Sequence, residues 1–472
     1  MKKNKIKKGL SLLCAIGMFV GMLAGCGVNE AEGVETFTMW TNSATPFEEE
    51  QVAKFNETIG KENGIKLELT NYGDDYSKTV EMAIANGSAP DFYKIQGALS
   101  SQVQKGNLFP VSDLPGMEDF LAEYDGMLME YNEMIDGKVY RVPGRRNLFA
   151  MLYNKDLFKK AGIVDENGEA KPPKTWDEVV EYAKILTNPN ESTYGIIFPM
   201  KWSGFWGTEI TPVMTANGQM NFDRKTQTYD YSIYKPILEK VMQIKADGTY
   251  FPGSEGLDND AARAQFATGR VGMKMGVSWD VYVLNDQFPA ECQWGVCTIP
   301  KLNESDPDYY QHSTTESLME ISSSVKDKDL NKVALIYKWY CSDERIGELY
   351  EQALLFPAKA SVVEKYSPKV EKQGLIEFAE LIKASNYSAP STGYALKYEG
   401  ETIAQVFDKV WAEMLTIDKA VTQLTEDYQE AYDSMVASGE YAEQIETYTN
   451  LPDEMFDRTL PEEIKAGCAL YR

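Results

Sequence analysis

Residues 35–48 read ETFTMWTNSATPFE and carry two structural signals back to back. Phe37 and Met39 alternate with threonines, the period of a half-buried strand. Thr45, Pro46 and Glu48 then supply an N-cap, a proline for the first helical position and a capping-box acid. A strand is therefore expected to run almost directly into a helix. IKLEL (65–69) alternates as a second strand, a helical pattern from about Tyr76 stops at Gly87, and DFYKI (91–95) gives a third strand. This β-α-β-α-β order predicts a parallel sheet covered by helices.

The same rhythm returns downstream. NLFAMLYN (147–154) is a strand leading into the helix of KDLFKKAGI, and KTWDEVVEYAKILT (174–187) is an amphipathic helix with Thr175 and Glu178 as its capping box. YGIIF, VGMKMG and WGVCTI are further strands, and from Glu399 to about Tyr448 the pattern is almost all helical. No internal repeat or low-complexity segment interrupts the chain. Two α/β lobes with a helical C-terminal portion are the expected architecture.

Upstream, residues 1–8 hold five lysines and no acid, and Gly9 to Gly25 are apolar or small. That run lies at the short edge of what spans a bilayer and reads as a secretory signal, residues 1–25. Leu23-Ala24-Gly25-Cys26 resembles a bacterial lipoprotein lipobox. The resemblance implies that Cys26 gains a diacylglycerol thioether and becomes the first residue of the mature protein, anchored to the cell membrane. A thiolate is the nucleophile such a modification needs, and two acyl chains meet the requirement for stable anchoring. The alternative is an ordinary signal peptide with an incidental cysteine. Residues 26–35, short, polar and acidic, read as a leash.

The net charge of −25 becomes still more negative once the leader's lysines are removed. Nucleic acid phosphates would repel such a chain, so no nucleic-acid partner is expected. A hydrophobic content of 43% with 12% aromatics marks a globular protein. Cys292 and Cys297 flank a strand and point to opposite faces; with Cys341 and Cys468 they read as isolated buried thiols. A single histidine, His312, excludes multi-histidine zinc sites. LDND (257–260) lacks the spacing of a calcium loop and reads as a helix cap. No phosphate-binding glycine loop is present, so no nucleotide cofactor is implied and any ATP chemistry falls to a partner.

Six segments in order, NGSAPDFYKI (86–95), GKVYRVP (137–143), LYNKDLFKKAGI (152–163), PPKTWDEVVEYAKILT (172–187), FATGRVGMKMGVSW (266–279) and WGVCTIPKL (294–302), resemble family 1 extracellular solute-binding proteins of ABC importers, the group that includes maltodextrin-binding proteins. The resemblance implies a two-lobed, periplasmic-binding-protein-like α/β fold with the ligand between the lobes. It also implies a monomeric, non-enzymatic receptor that hands a carbohydrate to membrane permease subunits served by a separate ATPase. The lobes are expected at 36–143 plus 316–372 and at 144–315 plus 373–472. Crossings are expected near Tyr140–Asn147, near His312–Met319 and at 370–375.

Ligands of open α/β sheets sit at the carboxyl ends of strands, which directs attention to the residues just beyond each strand. Trp40 and Asn42 follow the first strand; Trp40 either stacks on a ligand or caps the core. Gln96 follows the third strand, whereas Asp91 reads as a buried turn-forming acid. Arg145 and Asn147 share one face of the first crossing, with Arg146 on the other. They would grip hydroxyls or a carboxylate, or else form a lobe–lobe salt bridge. Trp202 and Trp206, four apart and followed by Glu209, read as exposed ligand-binding aromatics, with core packing as the alternative. The family resemblance places an aromatic under a sugar ring at Trp279 and another at Tyr394. Asp280 is a hydroxyl acceptor or a helix N-terminal charge, and Glu316 lies at the second crossing. Flat rings with polar partners suit a pyranose. The rival class is a surface-anchored glycoside-processing enzyme using two carboxylates such as Glu209 and Asp280.

Overall fold

The computed structural model describes residues 33–471 apart from 43, 386–389, 391 and 395. The leader and Cys26 lie outside the described residues. Strand β1 (Glu35–Thr41) buries Phe37 and Met39 and leaves Thr36 at the surface, as the alternation requires. Helix α1 (Pro46–Phe55) begins with the expected reciprocal cap: Thr45 Oγ1 accepts from the Glu48 N–H, and Glu48 Oε2 accepts from the Thr45 N–H at 2.9 Å. β2 (Ile65–Asn71), α2 (Tyr76–Ala85) and β3 follow. In β3 only Phe92–Tyr93 holds ladder geometry, shorter than the sequence suggests. Asp91, just ahead of it, turns inward and accepts from the Thr38 N–H and from Lys328.

The chain then enters the long strand β4 (Pro143–Asn154), buried over almost its whole length and spanning about 40 Å. The second sheet is completed by β5 (Tyr194–Ile196), β6 (Val271–Val277) and β7 (Trp294–Cys297), in the order β7-β4-β6-β5. Helix α3 (Trp176–Leu186) packs on it; its Thr175 cap forms, but the Glu178 carboxylate takes the Lys174 N–H. β8 (Ser313–Ser317) runs antiparallel beside β4, pairing Thr314 with Asn147 and Glu316 with Arg145. β9 (Glu320–Ile321) then joins the first sheet, giving the order β9-β3-β1-β2. A third pass lies alongside β4 at Phe356–Ala358, where Arg146 N–H donates to the Phe356 carbonyl, well ahead of 370–375.

Each sheet has its own core. Phe37, Phe92 and Ile321 pack with helix α4 (Leu330–Tyr340) in the N-terminal lobe. In the C-terminal lobe β4 sends Met151 and Tyr153 to one core and Leu148, Ala150 and Leu152 to another, the period-two division of a strand covered on both faces. The first of those cores takes in α5 (Ile403–Trp411) and the start of α6 (Ile417–Ser438). Cys292, Cys297, Cys341 and Cys468 are buried, and among the described residues none of them forms a disulfide. Among the described residues, no helix is long and apolar enough to cross a membrane.

Candidate functional site

The crossing strands β4 and β8 form the floor between the lobes. Glu316 is its centre: Oε2 accepts from Lys94 Nζ at 2.5 Å and from Arg145 at 2.6 and 3.0 Å, while Oε1 accepts from Asn147 at 2.7 Å. Arg145 and Asn147 do share a face, and Arg146 turns the other way to Ser385 and the Ile382 carbonyl. Burial alone would raise the Glu316 carboxyl, but the two cations hold it down at about 2. Burial and the neighbouring Arg145 lower the Lys94 ammonium. The expected polar residues thus bond one another and tie β3 of the first lobe to both crossings. Lys94, Glu316 and Arg145 keep 27%, 28% and 33% of their side chains open to solvent, whereas Asn147 is 4% exposed.

One wall belongs to the C-terminal lobe. Ser278, just past β6, exchanges hydrogen bonds with Leu148 of β4 and so fixes the turn that presents Trp279. The Trp279 ring stands edge-on to Phe149 at 6.3 Å, and Phe149 meets His312 at 4.8 Å. Burial, reinforced by Arg458, lowers the His312 imidazole to about 4, so this ring is neutral at ordinary pH. Trp279 remains half-buried. In the N-terminal lobe, at the ends of β1 and β2, the Trp40 and Tyr72 rings lie 4.8 Å apart, both partly buried against the core around Tyr76 and Tyr93, and Asn42 is exposed. Gln96 accepts from Ser77 Oγ and donates to neighbouring carbonyls, a half-buried turn residue.

Two expectations are corrected, and a third narrows to one of its alternatives. Trp206 is 3% exposed, packed between Phe205 and Phe407, and donates its indole N–H to Asp408 at 2.7 Å. It begins a wide helical turn, Trp206–Ile210, whose inner side is core. Glu209, in that turn, is 3% exposed and bound to Lys274. Asp280 is 1% exposed and accepts from Arg263 and from the Val277 N–H, the helix-end role rather than the hydroxyl-acceptor one. Trp202 is half-buried, its ring lying over Gly204, where a Cβ would fall 2.5 Å from the indole. Tyr394 sits 6.2 Å from both Tyr432 and Tyr441, half-buried among tyrosines. Nearby, Tyr131 of the first lobe lies against Gly393 and bonds Thr447, so the lobes touch at this rim.

Sequence reasoning missed Lys94, Tyr72, Phe149 and the place of His312. Tyr72 and Lys94 also lie at strand ends, a signal that was available. A polar depression of about 500 Å³ lies elsewhere on the C-terminal lobe, where Lys301 and Lys465 both pair with Asp308. It shares no residue with the floor or the wall. Among the described residues no cluster of acids, cysteines and histidine is arranged to hold a metal, and Asp258 caps its helix by accepting from the Ala261 N–H.

Two sheet-centred lobes, joined by antiparallel crossings with a polar floor and an aromatic wall, define the two-lobed solute-receptor class. The profile of the bacterial extracellular solute-binding proteins matches residues 50–377, and the chain belongs to that family. It is 24% identical over 242 residues to a maltotriose-binding protein of Pyrococcus abyssi, covering 50% of this chain and 47% of the relative. It is 25% identical over 281 residues to an sn-glycerol-3-phosphate-binding periplasmic protein of Brucella abortus, covering 56% and 62%. The chain therefore spans about half to three-fifths of these relatives' lengths. The maltose/maltodextrin-binding domain of Bdellovibrio bacteriovorus, solved with maltotriose, superposes with a TM-score of 0.61 at 17% identity. It covers 85% of this chain and 100% of its own, a likeness of fold.

Proposed function

We propose that this protein is a monomeric, lipid-anchored receptor of the outer cell surface. It captures a sugar or oligosaccharide between its lobes and delivers it to the permease of an ABC importer. The observation that carries the reading is Trp279, a half-buried indole braced by Phe149 and set beside a floor of Glu316, Arg145 and Asn147. A pyranose offers an apolar C–H face to such a ring and a rim of hydroxyls to such a floor. The maltotriose-binding relative supports the same class of solute. A glycosidase needs two carboxylates facing a bond, and Glu209 and Asp280 are each sealed in an ion pair.

Closure of the lobes about β4 and β8 would bury the solute and create the composite surface a permease reads. Screening the mature protein by thermal shift against a panel of oligosaccharides, followed by titration, tests the reading. Trp279→Ala should lower affinity for the best solute roughly 10- to 100-fold with the melting temperature kept. A panel without a single binder would overturn the sugar assignment. Cys26→Ser should release the protein from membranes, and undiminished membrane partition would remove the anchor.

A further inference from the structure

The middle of β6 carries an unexpected side chain. Met273, Met275 and Val277 face one core, while Lys274 stands on the opposite face between Gly272 and Gly276, 1% exposed. Its ammonium donates to Glu209 Oε1 at 2.6 Å and to the Met275 carbonyl at 2.7 Å. Glu209 comes from the segment that carries Trp202. A second sealed pair lies nearby: Arg263 Nε donates to Asp280 Oδ1 at 2.7 Å, and Asp280 Oδ2 accepts from the Val277 N–H at 3.0 Å. Arg263 also holds Asp260 at 2.8 Å. One pair therefore ties the Trp202 segment to β6, and the other pins the turn that presents Trp279. Both indoles pack on the same core from its edge.

As a stability device the first pair is poor. Removing two charges from water is expensive, and replacing a buried pair by apolar residues is often neutral or stabilising. Glu209 Oε2 finds no partner, so one carboxylate oxygen is buried without compensation. Burial pushes this carboxyl up to about 7 despite Lys274, with Asp280 adding to the rise and Arg263 opposing it. A chain that keeps such a pair inside an otherwise apolar strand uses it for something besides cohesion.

We propose that Lys274 and Glu209 are positioning residues of the solute site, locking the Trp202 segment onto β6 so that Trp202 and Trp279 keep a fixed spacing. The inference rests on the sugar-receptor reading for the solute, but the lock itself exists without solute.

The test compares the parent, Trp202→Ala, the apolar double Lys274→Met/Glu209→Leu, and the three changes combined. The apolar double should melt at or above the parent temperature. In the unliganded protein its backbone amides at 200–210 should exchange hydrogen at least ~10-fold faster, with the rest of the lobe unchanged. Its affinity for the best oligosaccharide should fall about 10-fold, and adding Trp202→Ala should cost little more, because coupled residues are non-additive. Unchanged exchange at 200–210, or losses that multiply as for independent sites, overturns the proposal. If the double misfolds, Glu209→Gln, which keeps a hydrogen-bonding group without the charge, should give intermediate exchange at 200–210. Parental exchange there would overturn the proposal equally. A panel that yields no binder fails the sugar reading alone, since the exchange measurement needs no solute.

Discussion

Glu316 and Glu209 are both glutamates held by a lysine, yet their carboxyls are driven in opposite directions. Glu316 has two cations and an amide around it and keeps part of its surface in water; its carboxyl falls to about 2. Glu209 is 3% exposed, with one bonded cation and a spare oxygen, and it rises to about 7. Donor count against desolvation decides the sign. The floor is a place where charge is comfortable and stays partly open to water. The sealed pair is a place where charge is tolerated for the sake of geometry.

The most forceful way to break the comparison is to remove one partner of the sealed pair. Lys274→Met alone strands Glu209 and should cost about 3–5 kcal/mol in urea unfolding at pH 8. The loss should shrink as the pH falls and the carboxyl takes a proton; a loss independent of pH would show that Glu209 is not charged there. Next in size is the pH slope of the parent. A carboxyl raised from 4.5 to about 7 contributes stability that is fully present below 4.5 and lost as pH rises through 7. At 1.36 kcal/mol per unit that is roughly 3 kcal/mol, and Glu209→Gln should flatten the slope between pH 5 and 8.

The open cluster should respond less. Glu316→Gln leaves Lys94 and Arg145 facing each other, and partial exposure limits the cost to about 1–2 kcal/mol. Its contribution runs the other way with pH, present above 4.5 and lost as pH falls toward 2. A loss as large as that of Lys274→Met would erase the distinction between the two clusters. Smallest of all, Arg145→Lys keeps the charge but gives up the two-pronged grip on Oε2, for less than ~1 kcal/mol. Stability curves of the variants from pH 3 to 8 would order all four effects.

What could be read beforehand follows from how far apart the interacting residues lie. The alternation of Phe37 and Met39, the Thr45–Glu48 cap and the Asp258 cap need only neighbours in the chain, and each forms as expected. The strand-end rule pointed to Trp40 and the family resemblance to Trp279, and both rings are half-buried at strand ends. Trp206 was misread because its hydrogen-bond partner Asp408 lies 202 residues away, and nothing local shows that a helix covers the ring. Arg145 and Glu316 were both singled out, but a bond across 171 residues is not legible in either stretch. Lys274 is visible in the sequence as a lone charge in VGMKMGV. Its partner, 65 residues upstream, could be named only once the strand and the turn were placed together.

The first sheet has a further consequence, for the order in which the molecule comes into being. Its edge strand β9 pairs with β3, and Glu320 accepts from the Ile95 N–H 225 residues away. At ~5–20 residues per second of synthesis, the early strands wait roughly 10–50 s for the strand that finishes their sheet. The intervening stretch must leave for the other lobe and come back before the N-terminal core can close. Contacts of such long range slow folding, so the first lobe stays an incomplete, pliable chain for most of its own translation. A chain in that state is still thin enough to be threaded through a membrane pore.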